Sequence, residues 1–178
     1  MDMARALITD LVQIRRLGEQ KHDENFDFRR HLKVHDYPER RFRRIAEEIE
    51  DQIDCTQCGN CCRDPIVPLQ DRDIDKLAKF LGCSRAHFIA EYMMPSPDQL
   101  DGGDPILKRT AQGCVFLEGK LCGVYEARPS ICARYPHLVR GNGPLSTRMW
   151  QMVDRASVCP IVYNALEAYK DLLGFRHR

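Results

Sequence analysis

Four cysteines fall within eight positions of the stretch CTQCGNCC, residues 55 to 62, and this cluster limits the possible fold more than any other feature. Two cysteines separated by two residues can bring both sulfurs to one metal, because the intervening turn folds back and directs amide groups at the thiolates. Gly59 allows the tight backbone that such a turn needs. The stretch has no apolar period that a core could bury, so it predicts a metal or cluster site.

The expected compartment decides how the cysteines are interpreted. The first residues mix Asp10, Arg15 and Arg16 into apolar positions, unlike a signal peptide, and no run of about 18 apolar residues predicts a membrane span. We therefore expect a cytoplasmic protein with no membrane partner. Disulfides rarely persist in a reducing cytosol, and nine cysteines cannot all pair. Metal binding or redox chemistry is the favoured interpretation.

The length and charge of the chain limit which classes of protein it can belong to. A chain of 178 residues, 43% hydrophobic and 30% charged, is typical of one globular domain. Its net charge of +1 gives no field that would attract nucleic acid. The arginine-rich residues 29–44 have acidic neighbours, since residues 21–54 carry eight Lys or Arg against ten Asp or Glu. We predict no nucleic-acid partner.

Apolar periodicity predicts an α+β fold, mostly α-helical with a small β-hairpin, in a compact single domain stapled by metal. The first fifty residues read as two helices, and later helices are expected to bury residues such as Phe88 and Ile89. The predicted helix boundaries are Pro38, Asp71 with Gly82, Ser84, and Pro160 with Gly174. Residues 64–69 read as an edge strand or loop, residues 95–105 as a loop, and residues 145–156 are ambiguous between strand and loop.

The segment CVFLEGKLCGVY, residues 114–125, has the pattern of a β-hairpin with its turn at residues 118–120. A two-residue loop would set Cys114 opposite Gly123 and on the other face from Cys122. A three-residue loop would pair Leu117 with Leu121 and put both thiols on one face. A metal site at these thiols requires the second register or an equivalent bulge.

Cys55, Cys58 and Cys61 form CxxCxxC, the arrangement that supplies three ligands to one [4Fe–4S] cluster in bacterial ferredoxins. Cys159 precedes a proline, as the fourth ferredoxin ligand does. We expect it at the N-terminal cap of the last helix, where the helix dipole favours the thiolate. Adjacent side chains usually diverge, so Cys62 is expected to serve a second site or to bridge.

The other cysteines differ in their surroundings. Cys132 lies in a predicted helical turn that Pro129 opens and that ends before Pro136. Cys83 follows a helix stop and has no partner at ligand spacing, so it is interpreted as a buried space filler.

Several of these segments together resemble the bacterial CxxCxxCC family, also called YkgJ-like cysteine-cluster proteins. They are CTQCGNCCR, DRDIDKLAKFLG, GCVFLEGKLCGVYEARPSICARYP and the late Cys-Pro. The resemblance covers about residues 55–160 and implies a zinc- or iron-chelating domain. It implies eight functional cysteines that exclude Cys83: Cys55, Cys58, Cys61, Cys62, Cys114, Cys122, Cys132 and Cys159. We expect residues 1–54 to be a helical segment packing on a cysteine-cluster domain, residues 55–178, within one globular unit.

Flagellin lysine methylases look like larger relatives of this family, built around the same cysteines. The resemblance implies that they need an iron–sulfur cluster. This chain is much smaller, so the resemblance does not carry methyl transfer over. Whether the chain is an enzyme stays open, and no catalytic residue is assigned.

The identity of the metal is open at this point. One zinc ion takes four ligands, so eight thiolates would form two four-thiolate sites, a cluster with accessory thiols, or a polynuclear centre. CxxCxxC and the late Cys-Pro favour an iron–sulfur cluster, while the lack of histidine at ligand spacing favours closed four-cysteine zinc sites, with copper(I) a minor third. Three functions follow: a redox or cluster-carrying protein, a structural zinc module that binds an unidentified protein partner, or a cluster-dependent modifying enzyme.

Charged residues near the cysteines allow two further predictions. Arg128, Arg134 and Tyr135 surround Cys132 in the sequence and are expected to compensate an anionic thiolate centre. Acidic pairs on helix faces, such as Asp71 with Asp73, are interpreted as solvated caps.

Overall fold

The computed structural model describes residues 6–35, 37–63, 66–96, 105–139 and 144–177. Most of these residues are helical and the strands are short, which confirms the mainly helical α+β class. In chain order the helices are α1 Leu11–Gln20, α2 His22–Val34, α3 Glu39–Glu50, α4 Cys55–Cys58, α5 Asp71–Leu81, α6 Arg85–Tyr92, α7 Ser130–Arg134, α8 Leu145–Arg155 and α9 Pro160–Leu173. The strands are β1 Met93–Met94, β2 Ile106–Leu107, β3 Arg109–Thr110, β4 Gly113–Cys114, β5 Leu117–Glu118 and β6 Leu121–Cys122.

The chain divides into two compact units. One unit, here called the helical unit, is Met1–Asp54 with Pro136–Arg178, and the other, the cysteine unit, is Cys55–Tyr135. Helices α8 and α9 therefore group with the N-terminal helices, whereas the expected cysteine-cluster domain, residues 55–178, included both. In the described ranges, no helix has the length and apolar character needed to cross a membrane.

The helical unit is built around α9, which packs against α3, α1 and α8. The Tyr169 ring lies between Phe28 and Phe42, with centroid distances of 5.7 and 5.2 Å. Pro160 is the first residue of α9, and Gly174 ends the helix with a φ of 64°. Both predicted boundaries are confirmed. Apolar residues on nearly every face of α9 explain its central place.

A buried ion-pair cluster joins the start of α2 to α9. Lys170 Nζ lies 2.7 Å from both Glu24 Oε1 and Glu167 Oε1, and Lys21 donates to the other oxygen of Glu167. Burial alone would raise the pKa of Glu167, but hydrogen bonds from Lys170 and Lys21 outweigh it, and the pKa is lowered. Buried charges persist when they are paired in this way.

Two sequence predictions for the helical unit were wrong. Residues 145–155 form α8, neither strand nor loop, because Leu145, Met149, Met152 and Val153 recur at helical spacing and are all buried. Residues 11–50 form three helices rather than two, since α1 ends at Gln20 and α2 begins at His22. Burial against neighbouring helices overrides the weak local signals in both segments.

Helices α5 and α6 pack together in the cysteine unit. Gly82 ends α5 with a φ of 67°, and the Ser84 side chain accepts a hydrogen bond from the His87 N–H, as predicted. Gln70, not Asp71, caps α5. Ile89 is 42% exposed, so its predicted burial was wrong. The core contains Val67, Leu69, Ile74, Leu77, Ala78, Phe88, Met93, Leu107, Phe116, Val124 and Ala127.

The strands of the cysteine unit form three antiparallel pairs: β1 with β2, β3 with β4, and β5 with β6. The sequence predicted one hairpin. Pro68 forms an isolated bridge with Ile106, in agreement with the edge strand or loop expected at residues 64–69, of which 64 and 65 lie outside the described residues. Residues 97–104 of the predicted loop lie outside the described residues.

Candidate metal centre

The first three cysteines lie on two short helical turns with a reversal between them. Helix α4 spans Cys55 to Cys58, and Gly59 follows in the left-handed region with a φ of 59°. A 3-10 turn then covers residues 60–62 and carries Cys61. The Gly59 N–H donates to the Cys55 carbonyl oxygen at 3.3 Å, which closes the first turn. The tight turn predicted at Gly59 is confirmed.

The cysteines of the hairpin region lie on two separate strand pairs. Cys114 ends β4 opposite Arg109 of β3, while Cys122 ends β6 opposite Leu117 of β5. The β5–β6 loop has two residues, Gly119 and Lys120, as one of the alternatives expected. Neither predicted pairing is present, since Cys114 does not face Gly123 and Leu117 does not pair with Leu121. The chain changes strand partner between residues 115 and 116: the Val115 N–H donates to Lys108, and the Gly123 N–H donates back to Phe116. A site shared by Cys114 and Cys122 was expected to need a particular hairpin register or a bulge. The change of strand partner stands in the place of that bulge.

Two glycines hold the early cysteines against these strand pairs. A Cβ on Gly59 would lie 2.9 Å from the carbonyl oxygen of Lys120. A Cβ on Gly113 would lie 2.4 Å from the carbonyl oxygen of Cys62 and 2.7 Å from the Cα of Arg63. Backbones can approach this closely only where no side chain intervenes. The Gly59 contact therefore brings the first cysteines beside the β5–β6 loop, and the Gly113 contact brings the backbone of Cys62 beside the strand that carries Cys114.

Helix α7 places the next thiol, and a buried carboxylate anchors it. Cys132 lies in the middle of α7, whose first residue is Ser130. Asp73 of α5 accepts hydrogen bonds from the Ser130 N–H and from the Ser130 hydroxyl, both at 3.0 Å. Asp73 is only 4% exposed, so its interpretation as a solvated cap was wrong. Asp71, by contrast, is exposed and pairs with Arg85.

Four thiols of the cysteine unit lie within range of one another's charge: Cys62, Cys114, Cys122 and Cys132. Burial first, and then negative charge on each of the other three, raise the pKa of Cys132 to about 12. Burial also raises the pKa of Cys114 and of Cys122, and each is raised again by the charge on Cys62. We call these four the thiol group. The mutual effects mean that a cation would be needed to ionise all four together.

Backbone amides are directed at two members of the thiol group. The Phe116 N–H donates to Cys114, and the Val124 N–H donates to Cys122, each two residues further along the chain. These bonds lower the two pKa values and partly offset the effect of burial. Amide donors that point at thiolates in a turn are typical of cysteine metal sites.

Cys61 and Cys62 are in contact, although adjacent side chains were expected to diverge. The side-chain hydrogen bond from Cys61 lowers the pKa of Cys62 to about 7, against the opposing effect of burial. Cys62 is therefore the thiol of the group that ionises near neutral pH. Whether it serves a second site or a bridge stays a prediction.

The other cysteines are placed as follows. Cys83 is half-buried after α5, and it packs against the apolar core of the cysteine unit. Cys159 is buried at the N-cap of α9, as expected, and belongs to the helical unit. All nine cysteines, each in the described part of the chain, are present as thiols.

Arg128 is one of the residues expected to compensate thiolate charge. It lowers the pKa of Cys122 by its charge, and its guanidinium carbon lies 3.9 Å from the centroid of the Tyr125 ring. The Arg134 Nε donates to the Ser130 carbonyl oxygen at 3.2 Å, within its own helix. Of these residues, Arg128 thus lies where its positive charge acts on a member of the thiol group, Cys122.

The donor chemistry of the thiol group fits a soft or borderline metal, since the group consists of four cysteines and includes no histidine. Among the described residues, however, no three His, Cys, Asp or Glu side chains are arranged to hold a metal ion. The assignment of eight cysteines as ligands stays a prediction.

Sequence reasoning missed two residues that build the site. Gly113 was not singled out, although a glycine directly before a strand cysteine can signal close backbone approach. Asp73 was read from its position in the first turn of a helix, and a single sequence gives no sign that its partner is Ser130.

The fold and the thiol group define a cysteine-rich domain with the donors of a metal-binding protein. The comparison with protein families identifies the group more closely. Residues 54–160 match the family CxxCxxCC, described as "Putative zinc- or iron-chelating domain". This match covers more than half of the chain, and the chain belongs to that family, which confirms the resemblance noted in the sequence. Neither the curated proteins nor the solved structures gave a match.

Proposed function

We propose that this chain is a metalloprotein that holds an iron–sulfur cluster through its cysteines and has a redox or cluster-carrying role. The observation that carries the proposal is the thiol group, in which four sulfurs drawn from distant positions share one electrostatic environment. Burial and mutual repulsion make these thiolates unfavourable without a cation. A bound metal would supply the positive charge that ionises them.

The early cysteines support a cluster rather than a single ion. Cys55, Cys58 and Cys61 keep CxxCxxC spacing on α4 and the following turn, next to the strands that carry the thiol group. That spacing supplies three ligands to one cluster in ferredoxins. When bound, a cluster would accept or release single electrons, or would itself be the group delivered to a protein partner. The residues of this chain would bind it and limit its exposure to water.

A structural zinc site is the second candidate, and one observation favours it. The thiol group contains four cysteines and no histidine, the donor set of a closed zinc site with four thiolate ligands. Such a site would carry a net charge of about −2, which Arg128 beside Cys122 would partly offset. In that case the chain would act as a protein-binding module.

Metal analysis distinguishes the two candidates. The full-length chain is purified without oxygen, and iron, acid-labile sulfide and zinc are measured per chain together with visible absorption. Iron with sulfide and a brown colour supports the cluster. Stoichiometric zinc in a colourless protein supports the zinc site, and a protein that neither carries nor takes up metal contradicts both.

Two substitutions locate the metal. Under the cluster proposal, Cys58→Ser removes one of the three CxxCxxC ligands, so iron and sulfide are lost. Under the zinc alternative, Cys58→Ser leaves the thiol group intact and retains its zinc, whereas Cys114→Ser loses it. Cys83→Ser is the matched control, since this half-buried cysteine packs on the core and stands outside the predicted ligands.

A further inference from the structure

The Asp73 side chain, in the first turn of α5, is buried, and both of its carboxylate oxygens accept hydrogen bonds. Its Oδ1 accepts from the Ser130 N–H at 3.0 Å, and its Oδ2 accepts from the Ser130 hydroxyl at 3.0 Å and from the Gln70 N–H at 3.3 Å. A capping residue needs only the bond to Gln70, and Asp71 in the same turn stays in solvent. The two bonds to Ser130 therefore do more than cap α5.

Those two bonds fix the start of a helix that is too short to be stable alone. Helix α7 has five residues, and an isolated helix of that length does not persist in water. Its orientation must come from contacts outside it. Lys76, one turn after Asp73 on α5, adds a second contact by donating to the Arg128 carbonyl oxygen at 3.1 Å. Helix α5 thus holds the segment before Cys132 at two points.

We infer that Asp73 is a positioning residue for the metal centre, which holds Ser130 so that Cys132, two residues later in α7, stays with the other three members of the thiol group. The inference rests on the proposed function, because it assigns Cys132 as a ligand. Asp73 touches neither the metal nor its sulfur ligands in this role. It acts through Ser130.

Ser130 offers a second way to test this role, since it makes both of the bonds that link Asp73 to α7. Ser130→Ala removes one positioning bond and leaves the carboxylate in place.

The experiment measures metal retention and ligand number in the full-length chain. Wild type, Asp73→Asn, Ser130→Ala and Ser130→Thr are isolated with their metal and challenged with a chromophoric chelator. Each is then reconstituted with Co²⁺, whose sulfur-to-metal charge-transfer absorption reports the number of thiolates bound. Asp71→Asn is the matched control, because it removes a carboxylate in the same turn that is exposed and pairs with Arg85 of α6.

We expect Asp73→Asn and Ser130→Ala to bind metal about 10- to 100-fold more weakly, the usual effect of losing a residue that orients a ligand. The charge-transfer absorption per cobalt should fall by about one quarter, since one of four thiolates is lost. Ser130→Thr keeps the hydroxyl and should restore wild-type behaviour. Asp71→Asn should match wild type.

The possible results separate the two proposals. A wild-type chain that binds no metal contradicts the proposed function. A wild-type chain that binds metal, with both Asp73→Asn and Ser130→Ala unchanged in affinity and spectrum, overturns the role of Asp73 alone. Weaker binding with unchanged charge-transfer absorption per cobalt also overturns it, because a general loss of stability would act in that way. If Asp73→Asn does not fold, Ser130→Ala decides the question.

Discussion

Gly113 is the residue at which the packing of the CxxCxxCC segment can be tested most directly. Its φ of 128° is one that residues with a side chain rarely adopt, which costs about 1–3 kcal/mol for alanine. An added Cβ would also lie 2.4 Å from the Cys62 carbonyl oxygen and 2.7 Å from the Arg63 Cα. Both neighbours are backbone atoms, which cannot move away like the end of a flexible side chain. Overpacking of this kind adds about 1–3 kcal/mol.

Gly113→Ala should therefore lower the free energy of unfolding by about 2–6 kcal/mol, a large part of the roughly 5–15 kcal/mol of a typical domain. The assay is urea denaturation followed by far-ultraviolet circular dichroism, with metal content measured in parallel. Metal content should fall as well, because relief of the clash moves Cys62 away from Cys114.

Gly119→Ala is the matched control. Gly119 also has a positive φ, 66°, but apart from its two neighbours in the chain no atom of the described residues lies within 4 Å of the position of its Cβ. Its cost should be limited to about 1–2 kcal/mol of backbone strain, with metal content unchanged. If Gly113→Ala is no more destabilising than Gly119→Ala and keeps its metal, the contact between Gly113 and Cys62 does not position the thiol.

Two further predictions concern other parts of the chain. Cys83→Ser should leave metal content unchanged, and a fall measured by metal analysis would move Cys83 into the site. Glu167→Gln should cost about 3–5 kcal/mol at neutral pH in urea denaturation, because Lys170 and Lys21 lose their shared partner. In wild type the lowered pKa of Glu167 implies stability that is present above pH 4.5 and lost as the pH falls further, since the unfolded chain takes up the proton first. A wild-type acid transition that Glu167→Gln reproduces unchanged would exclude this carboxylate as its cause.

The sequence predicted those parts of the fold that local chemistry decides. Gly82 and Gly174 end helices, and Ser84 and Pro160 begin them, because capping depends on residues within one turn. CxxCxxC was recognised for the same reason, since all of its ligands lie within a few residues.

The parts that were predicted wrongly depend on contacts between distant residues. The predicted hairpin register was wrong because β4, which ends at Cys114, pairs with β3, which precedes it in the chain. Cys122 lies on β6, which pairs with β5 instead. A local pattern cannot show where a strand changes partner. The burial of Asp73 depends on Ser130, more than fifty positions away. Nothing in the first turn of α5 reveals that partner.

The structure indicates which part of the cysteine unit would depend on bound metal for its folding. The cysteine unit has an apolar core of its own, with Leu77 of α5 and Phe88 of α6 fully buried. Helix α4 and the following 3-10 turn contribute no buried residue of this kind, and α4 has four residues. A helix so short depends on outside contacts. Those contacts are the glycine packing and the metal that the thiols would bind.

Metal removal should therefore loosen residues 55–63 while α5 and α6 remain folded. Hydrogen exchange measured by mass spectrometry, before and after chelation of the metal, tests this at the level of segments. Protection should be lost in the peptide that covers α4 and the 3-10 turn, and largely kept in the peptide that covers α5, because burial of Leu77 and Ala78 does not depend on a sulfur ligand. Equal loss of protection in both peptides would mean that the metal, and not the apolar core, holds the cysteine unit together.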